Sequence, residues 1–279
     1  MSALRDWFGL DGQVAVVTGG GGALGSAIAR ALAAAGASVA LLGRRREPLV
    51  AVARELEPAG VVSVTADVLA ADQLQKAART VIERWGRIDI LVNAAGGNVP
   101  GATLDHRQTM LGLPPRAFRE VVELNLVGAL LPTQAFGTAI VDTAQARGEP
   151  PRGSIVNISS MAAARAITRV AGYGAAKAAL ENLTRTLAVE LACSHGPGLR
   201  VNAVAPGFFV GEQNRRLLLE PDGEPTARGG AIIAHTPAGR FGDASELAST
   251  VVWLCGPGAG FVTGVVVPVD GGFSAFAGV

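Results

Sequence analysis

The chain has 279 residues, 49% of them apolar and 5% aromatic, with a formal net charge of +1. That length suits one large domain with a sizeable core, and the rich glycine and alanine content suits helices packed closely on a sheet rather than a fibrous or disordered chain. A near-neutral balance without a long basic patch argues against nucleic acid as a partner.

Residues 1–8 carry Arg5 and Asp6 and lack the apolar centre of a signal peptide. The longest near-apolar run, Ala27 to Leu42, contains Arg30 and Ser38, so no membrane span is expected. Cys193 and Cys255 match neither a metal spacing nor a disulfide framework; a reducing, cytoplasmic setting without a metal site is the reading. Val14 to Thr18 reads as a buried strand that runs into Gly19-Gly20-Gly21-Gly22-Ala23-Leu24-Gly25. A helix from Ser26 to Ala35 follows, stopped by Gly36, and Ser38 to Leu42 is the next strand. This is the arrangement that binds dinucleotides, with backbone amides of the glycine run facing a pyrophosphate at a helix N-terminus. Gly19, Gly22, Leu24 and Gly25 are its expected contacts.

The end of the second strand selects the cofactor. NAD sites usually place an acid there to hold the ribose 2′-hydroxyl, whereas this chain has Gly43 followed by Arg44-Arg45-Arg46. Arginine forks match a phosphate, so NADP(H) is favoured, with NAD(H) as the alternative. Glu47 to Glu57 reads as helix closed by Pro58-Ala59-Gly60, and Val61 to Thr65 as the third strand. Asp67, with Val68 beside it, is placed either to accept from an adenine amino group or to cap the helix from Ala70 to Trp85. A fourth strand, Ile88 to Val92, leaves through Asn93-Ala94-Ala95-Gly96-Gly97-Asn98, small enough to let a cofactor ring approach the backbone.

Thr103 to Pro115 is loop-like, and its His106 reads as a surface residue. One long helix is expected from Arg116 towards Arg147; its Asn125 needs hydrogen-bond partners among apolar neighbours, to brace the helix or to hold a water leading to Lys177. Gly153 to Ile158 is a fifth strand ending in Ser159-Ser160, and the helix beyond it carries Tyr173 and Lys177 on one face. An ammonium beside a phenol lowers its pKa towards the useful range, and a serine hydroxyl can hold the reacting oxygen. Leu199 to Ala205 is strand six, leaving through Pro206-Gly207. Residues 207–240, punctuated by proline and glycine, read as a substrate loop or lid. A helix from Ala244 to Leu254 and a strand from Val265 to Val269 complete a doubly wound parallel α/β sheet of seven strands in one Rossmann-type domain.

Thr18-Gly19-x-x-x-Ala23-x-Gly25, Asn93-Ala94-Ala95-Gly96, Ser160 with Tyr173-x-x-x-Lys177, and Pro206-Gly207 together resemble the short-chain dehydrogenase/reductase family in order and spacing, over nearly the whole chain. In that family the serine precedes the tyrosine by thirteen residues, which selects Ser160 over Ser159. The resemblance implies Asn125, Ser160, Tyr173 and Lys177 as the catalytic set. It also adds Ala94, Ala95, Gly96, Pro206, Gly207 and Phe209 to the cofactor contacts, together with Asn93, Tyr173 and Lys177. Tyr173 would exchange a proton with the substrate oxygen, Lys177 would lower its pKa and hold the nicotinamide ribose, and Asn125 would hold a relay water. Two positions depart from the pattern: Ala94 replaces a usual asparagine, and Gly211 stands where many members have a carboxamide-binding threonine, leaving the backbone of Phe209 for that contact.

A narrower resemblance is to the mannonate oxidoreductase (fructuronate reductase) branch. It rests on Gly96-Gly97-Asn98, Ser159-Ser160-Met161-Ala162-Ala163, Thr168-Arg169-Val170, Glu212-Gln213-Asn214-Arg215, Ala234-His235-Thr236-Pro237 and the closing Val267-Pro268-Val269-Asp270-Gly271-Gly272-Phe273-Ser274. It implies a small sugar-acid substrate, D-fructuronate or D-mannonate, in a reaction usually written with NAD. An acid sugar wants cations and polar groups, and Asn98, Ser160, Arg165, Arg169, Gln213, Asn214, Arg216 and His235 are the substrate contacts expected at that end of the sheet. Another ketose, a polyol or a 3-oxoacyl thioester is the alternative substrate; a nucleotide-binding regulator without chemistry would have no need of the Ser160-Tyr173-Lys177 set. The family is usually dimeric or tetrameric, and the apolar helix from Ala175 to Ala192 is the expected shared surface of a homo-oligomer.

Overall fold

A computed structural model describes residues 2–56, 60–104, 108–212 and 214–278. The Pro58-Ala59 stop, His106 and Gln213 lie outside them. The elements run α1 (Ser2–Phe8), β1 (Val14–Thr18), α2 (Ala23–Ala34), β2 (Ser38–Gly43), α3 (Arg46–Glu55), β3 (Val61–Thr65), α4 (Ala71–Trp85) and β4 (Ile90–Asn93). Then come α5 (Pro115–Val122), a π-helical turn (Glu123–Val127), α6 (Gly128–Ala146), β5 (Gly153–Ile158), α7 (Ala171–His195) and β6 (Leu199–Pro206). The chain ends with α8 (Arg215–Leu218), α9 (Ala227–Ala234), α10 (Ala244–Cys255) and β7 (Val266–Val269).

The strands pair in parallel in the order β3-β2-β1-β4-β5-β6-β7. Their continuous apolar runs follow from burial on both faces. One layer, α2, α3 and α10, buries Ile28, Leu32, Leu49 and Leu247 against alternate strand residues such as Val17 and Leu41. The other, α4, α6 and α7, buries Leu74, Phe136, Ile140 and Ala188 against Val16, Leu42 and Leu91. Residues 115–146 are long and apolar enough to cross a membrane by length and composition, yet half of that apolar window is buried inside the fold, as in a core helix.

Chain order reverses between β1 and β4, and a crevice opens beyond the carboxyl ends of strands at such a point. Polar groups clamp the strands beneath it. Asn93 and Asn157 are register partners on β4 and β5. The amide of Asn93 donates to Asn157 Oδ1 (2.9 Å), Thr133 Oγ1 (3.0 Å) and Ala129 O (3.3 Å). That of Asn157 donates to Thr184 Oγ1 (2.9 Å). The chain of bonds ties α6, two strands and α7 together in a dry interior, where each bond is hard to replace.

Two expectations change. The long helix is interrupted by the π turn, in which Gly128 N reaches back to Glu123 O, and Pro132 lacks the N–H that would continue a regular ladder. The 207–240 segment contains helices: Thr226 Oγ1 accepts from Gly229 N and starts α9 despite the glycine pair behind it. Replacing Asn157 with alanine takes one buried partner each from Asn93 and Thr184, which keep their bonds to Thr133, Ala129 and Leu180; we expect a loss of about 1–3 kcal/mol in urea unfolding.

Candidate active site

The glycine run folds as a cradle because side chains are excluded from it. Gly19 has φ +66°, and a Cβ there would sit 2.8 Å from Ala94 O and Ala95 N; one on Gly25 would sit 2.2 Å from Gly19 O. Thr18 joins the two sides of the switch point: its hydroxyl oxygen accepts from Ala94 N and Ala95 N, both at 3.1 Å. Gly22 is the N-cap of α2 with no side-chain cap, and the first turn, with Leu24, carries no acid. Its leading N–H groups therefore face outward at the positive end of the helix, fit for a pyrophosphate. Arg44 and Arg45 are exposed beyond β2, and Arg45 Nη2 lies 3.5 Å from Glu212 Oε2 in the 207–240 segment. Val68 is buried, and Asp67 Oδ1 accepts from Leu69 N in a local turn; the N-cap of α4 is Ala70, so Asp67 does not cap that helix.

Several expected cofactor contacts have other tasks. Asn93 Nδ2 is spent on the interior network described above, while its buried Oδ1 has no partner among the described residues. Phe209 O accepts from Asn214 Nδ2 (2.8 Å), while Asn214 Oδ1 accepts from Gly211 N (2.8 Å). Asn214 therefore locks its own turn rather than presenting its amide to a substrate, and the Phe209 carbonyl already has a partner. A Cβ on Gly211 would lie 3.3 Å from Ala23, which brings this turn against the glycine cradle. Pro206 ends β6, and Gly207 N donates to Val269 O (2.9 Å).

The residues expected to be catalytic meet between the exit of β5 and the start of α7. Ser160 is buried in extended backbone at the exit of β5, its Oγ accepting from Ala162 N (3.2 Å) and near enough to Tyr173 to favour the phenolate. Ser159 is engaged elsewhere, donating to Glu181 Oε1 (2.9 Å), which agrees with Ser160 as the one that faces Tyr173. Tyr173 packs on Ala102, Ala117 and Val121. One turn on, Lys177 Nζ donates to Ile158 O (2.7 Å) and lies 5.7 Å from the Tyr173 ring centre. Asn125 sits in the π turn; its Oδ1 accepts from Gly97 N (3.0 Å) and its Nδ2 donates to Gly97 O (2.7 Å) and Val121 O (2.9 Å). A methyl group on Gly96 would come within 2.8 Å of Asn125 Oδ1 and 3.3 Å of Lys177 Nζ. Small residues after β4 are thus required by the catalytic side chains behind them.

The electrostatics differ from the expectation. Burial pushes the Tyr173 phenol above its ordinary pKa, and the hydrogen bond from Ser160 draws it part of the way back. Burial lowers Lys177 to about 8. The ammonium is turned to a carbonyl rather than to the phenol oxygen, so Ser160 and not Lys177 is the group that favours the phenolate in this state.

On the substrate side, Asn98 Nδ2 bonds Thr103 Oγ1, and its buried Oδ1 has no partner among the described residues. Arg165 Nε donates to Ser274 O (2.7 Å), fastening the carboxyl-terminal turn that Asp270 organises. His235 packs edge-on to Phe273 and at a tilt to Phe276, both ring centres at 5.1 Å, and Arg216 is exposed. Arg169 has φ +76°; its Nε donates to Leu104 O while Leu104 N donates to Arg169 O. The charge of Arg228, a residue on α9 absent from the expected contacts, is disfavoured by burial and then by the charge of Arg169. The Thr226 cap was the local sign that α9 exists, but only the fold brings Arg228 to Arg169.

Comparison with known proteins gives three kinds of match. Residues 21–274 match the family described as enoyl-(acyl carrier protein) reductase, adh_short_C2. The uncharacterized oxidoreductase UxuB of Bacillus subtilis is 43% identical, over 97% of this chain and 98% of that protein. A Haemophilus influenzae structure with bound NAD, provisionally called a D-mannonate oxidoreductase, superposes with TM-score 0.88 at 36% identity, covering 99% of this chain and all of that one. A gluconate 5-dehydrogenase from Burkholderia cenocepacia, in complex with NADP and tartrate, superposes with TM-score 0.84 at 31% identity, over 98% and 100% of the chains.

Lys177 gives this site a pH signature. Its folded pKa of about 8 lies below the unfolded 10.5, so the unfolded chain binds the proton more tightly. The penalty is fully present below pH 8 and fades as pH rises through 10.5. Relative to Lys177→Met, the wild type should gain about 2 kcal/mol between pH 7 and pH 10 in denaturant titrations.

Proposed function

We propose that this chain, which belongs to the short-chain dehydrogenase/reductase family and is an NAD(P)-dependent oxidoreductase acting on CH–OH groups, interconverts D-fructuronate and D-mannonate. The observation that carries the reaction is the meeting of Ser160 with Tyr173, whose phenol it acts on, and Lys177 one helical turn away, 5.7 Å from the Tyr173 ring centre. The substrate reading is supported by a cationic mouth, Arg169 and Arg228, and by the likeness to the Haemophilus protein named for D-mannonate.

The residues present fit a nicotinamide cofactor: the uncapped start of α2 would hold its pyrophosphate, and Ala94, Ala95 and Gly96 would line its path to Tyr173 and Lys177. When bound, it supplies or accepts the hydride. Ser160 holds the substrate oxygen. Tyr173, whose phenol keeps its proton at neutral pH, gives that proton to the oxygen as a carbonyl is reduced, and recovers it in the reverse direction. Lys177, held on Ile158 O, would reach the nicotinamide ribose from its place beside Gly96. Asn125 braces Gly97 from both amide atoms and keeps the relay corner open. The 207–240 segment, held to the glycine cradle at Gly211, closes the substrate end.

Both cofactor readings have support. Arg44 is exposed without a carboxylate partner among the described residues, which suits a 2′-phosphate. Glu212 competes for Arg45, and the Haemophilus relative holds NAD, which suits NAD(H). Our reading keeps NADP(H) ahead on Arg44.

Following nicotinamide absorbance, D-mannonate and D-fructuronate should turn over faster than their neutral counterparts, D-mannitol and D-fructose; activity confined to the neutral compounds would defeat the sugar-acid reading. Tyr173→Phe should lower kcat on the order of 10²–10⁴-fold, and a near-wild-type rate would remove it as the acid. Arg44→Ala should cost NADPH roughly 10-fold in kcat/KM with a smaller effect on NADH, whereas equal losses would leave Arg44 without a phosphate to bind.

A further inference from the structure

An open cavity of about 200 Å³ lies between the loop that precedes α7, helix α9 and the carboxyl-terminal turn. Ile167, Thr168, Phe208, Arg228, His235 and Phe273 line it. The loop joins Ser160 to Tyr173 along the chain, and Phe208 follows the Pro206-Gly207 exit of β6, so the cavity is walled by segments that lead directly into the expected catalytic residues.

Arg228 is half-buried in this wall and makes no hydrogen bond or ion pair with a described residue. Burial and the neighbouring Arg169 both disfavour its charge. A guanidinium placed beside another without a counter-charge costs stability unless something else repays it. Arg169 carries its own cost. It holds left-handed backbone, about 1–2 kcal/mol for a residue with a side chain, kept there by the two-way clasp with Leu104. That clasp uses only Nε, so both terminal nitrogens of Arg169 remain to bind.

We infer that Arg228, in the wall of this cavity, and Arg169, next in the chain to the lining residue Thr168, form the carboxylate subsite that selects acidic over neutral sugars, with the reacting carbon held at Tyr173 and the acid end of the molecule towards this cavity. The inference rests on the sugar-acid reading above and narrows it: among the expected cations, Arg165 is spent on Ser274 O, while Arg228 enters the site. Two forks can bind one carboxylate through charge-assisted bonds, and a neutral hydroxymethyl group leaves both unpaired. The preference for acid then comes as much from the unpaired cations as from the bond made.

The test is steady-state kinetics on D-mannonate and on D-mannitol, the carboxylate-free counterpart, with wild type, Arg228→Met, Arg228→Lys and Arg169→Gly. Glycine tolerates the left-handed backbone while removing the cation. Arg228→Met and Arg169→Gly should each raise KM for D-mannonate at least about 10-fold and lower the acid-over-polyol ratio of kcat/KM by a similar factor, with KM for the cofactor within about twofold. Arg228→Lys should recover part of the ratio. Melting of Arg228→Met should hold or rise, since an unpaired charge has been removed. A wild type that favours D-mannonate while both variants keep that ratio overturns the subsite and leaves the sugar-acid reading standing. A lowered melting temperature with an unchanged ratio overturns it too, by making Arg228 structural. A wild type with no preference for the acid defeats both together.

Discussion

Desolvating the ammonium of Lys177 is the constraint around which this fold is built. A buried cation that donates to a single backbone carbonyl is held far from its ordinary protonation equilibrium. Everything that meets it is correspondingly determined: Ile158 must end its strand with the carbonyl aimed at α7, Gly96 must lack a side chain, and Asn125 must be brought alongside by a π turn. Stability is given up at this corner to hold a buried cation 5.7 Å from the Tyr173 ring centre, a trade common where chemistry is done.

The switch point supplies the other half of the site. The Thr18 hydroxyl receives two amides from the β4 exit, and Gly19 leaves no room for a Cβ between the same two segments. The glycine cradle and the catalytic corner are therefore fixed to each other through the sheet rather than through a flexible loop. Beneath them, the Asn93–Asn157–Thr184 chain ties β4 and β5 to α6 and α7. This rigid base contrasts with the substrate end, where helices α8 and α9, an aromatic cluster and the carboxyl-terminal turn meet. Within one family, such a division lets the reaction stay constant while substrates vary.

Much of this was legible beforehand. Apolar runs bounded by glycine located the seven strands to within about two residues, and the Tyr173–Lys177 spacing placed both on one helical face. Choosing Ser160 over its neighbour came from family spacing, and the Ser159–Glu181 bond supplies a physical reason. Polar residues were harder to read. The Nδ2 of Asn93 and both side-chain polar atoms of Asn214 are taken by groups that only the folded chain brings near, while Asn93 Oδ1 is left without a partner among the described residues. The arginines followed the same rule: Arg165 and Arg228 differ in no local feature that separates a brace from a binding group.

By itself the sequence determined the periodic elements, the glycine cradle and the order of the catalytic groups, because these depend on contacts a few residues apart and on the steric demands of single positions. Only the tertiary structure decided which polar atoms are spent and which are left over. A hydrogen bond from Arg165 to Ser274, or the approach of Arg228 to Arg169, joins segments distant in the chain, and burial sets the protonation of Tyr173 and Lys177 through surroundings that no short stretch of residues records.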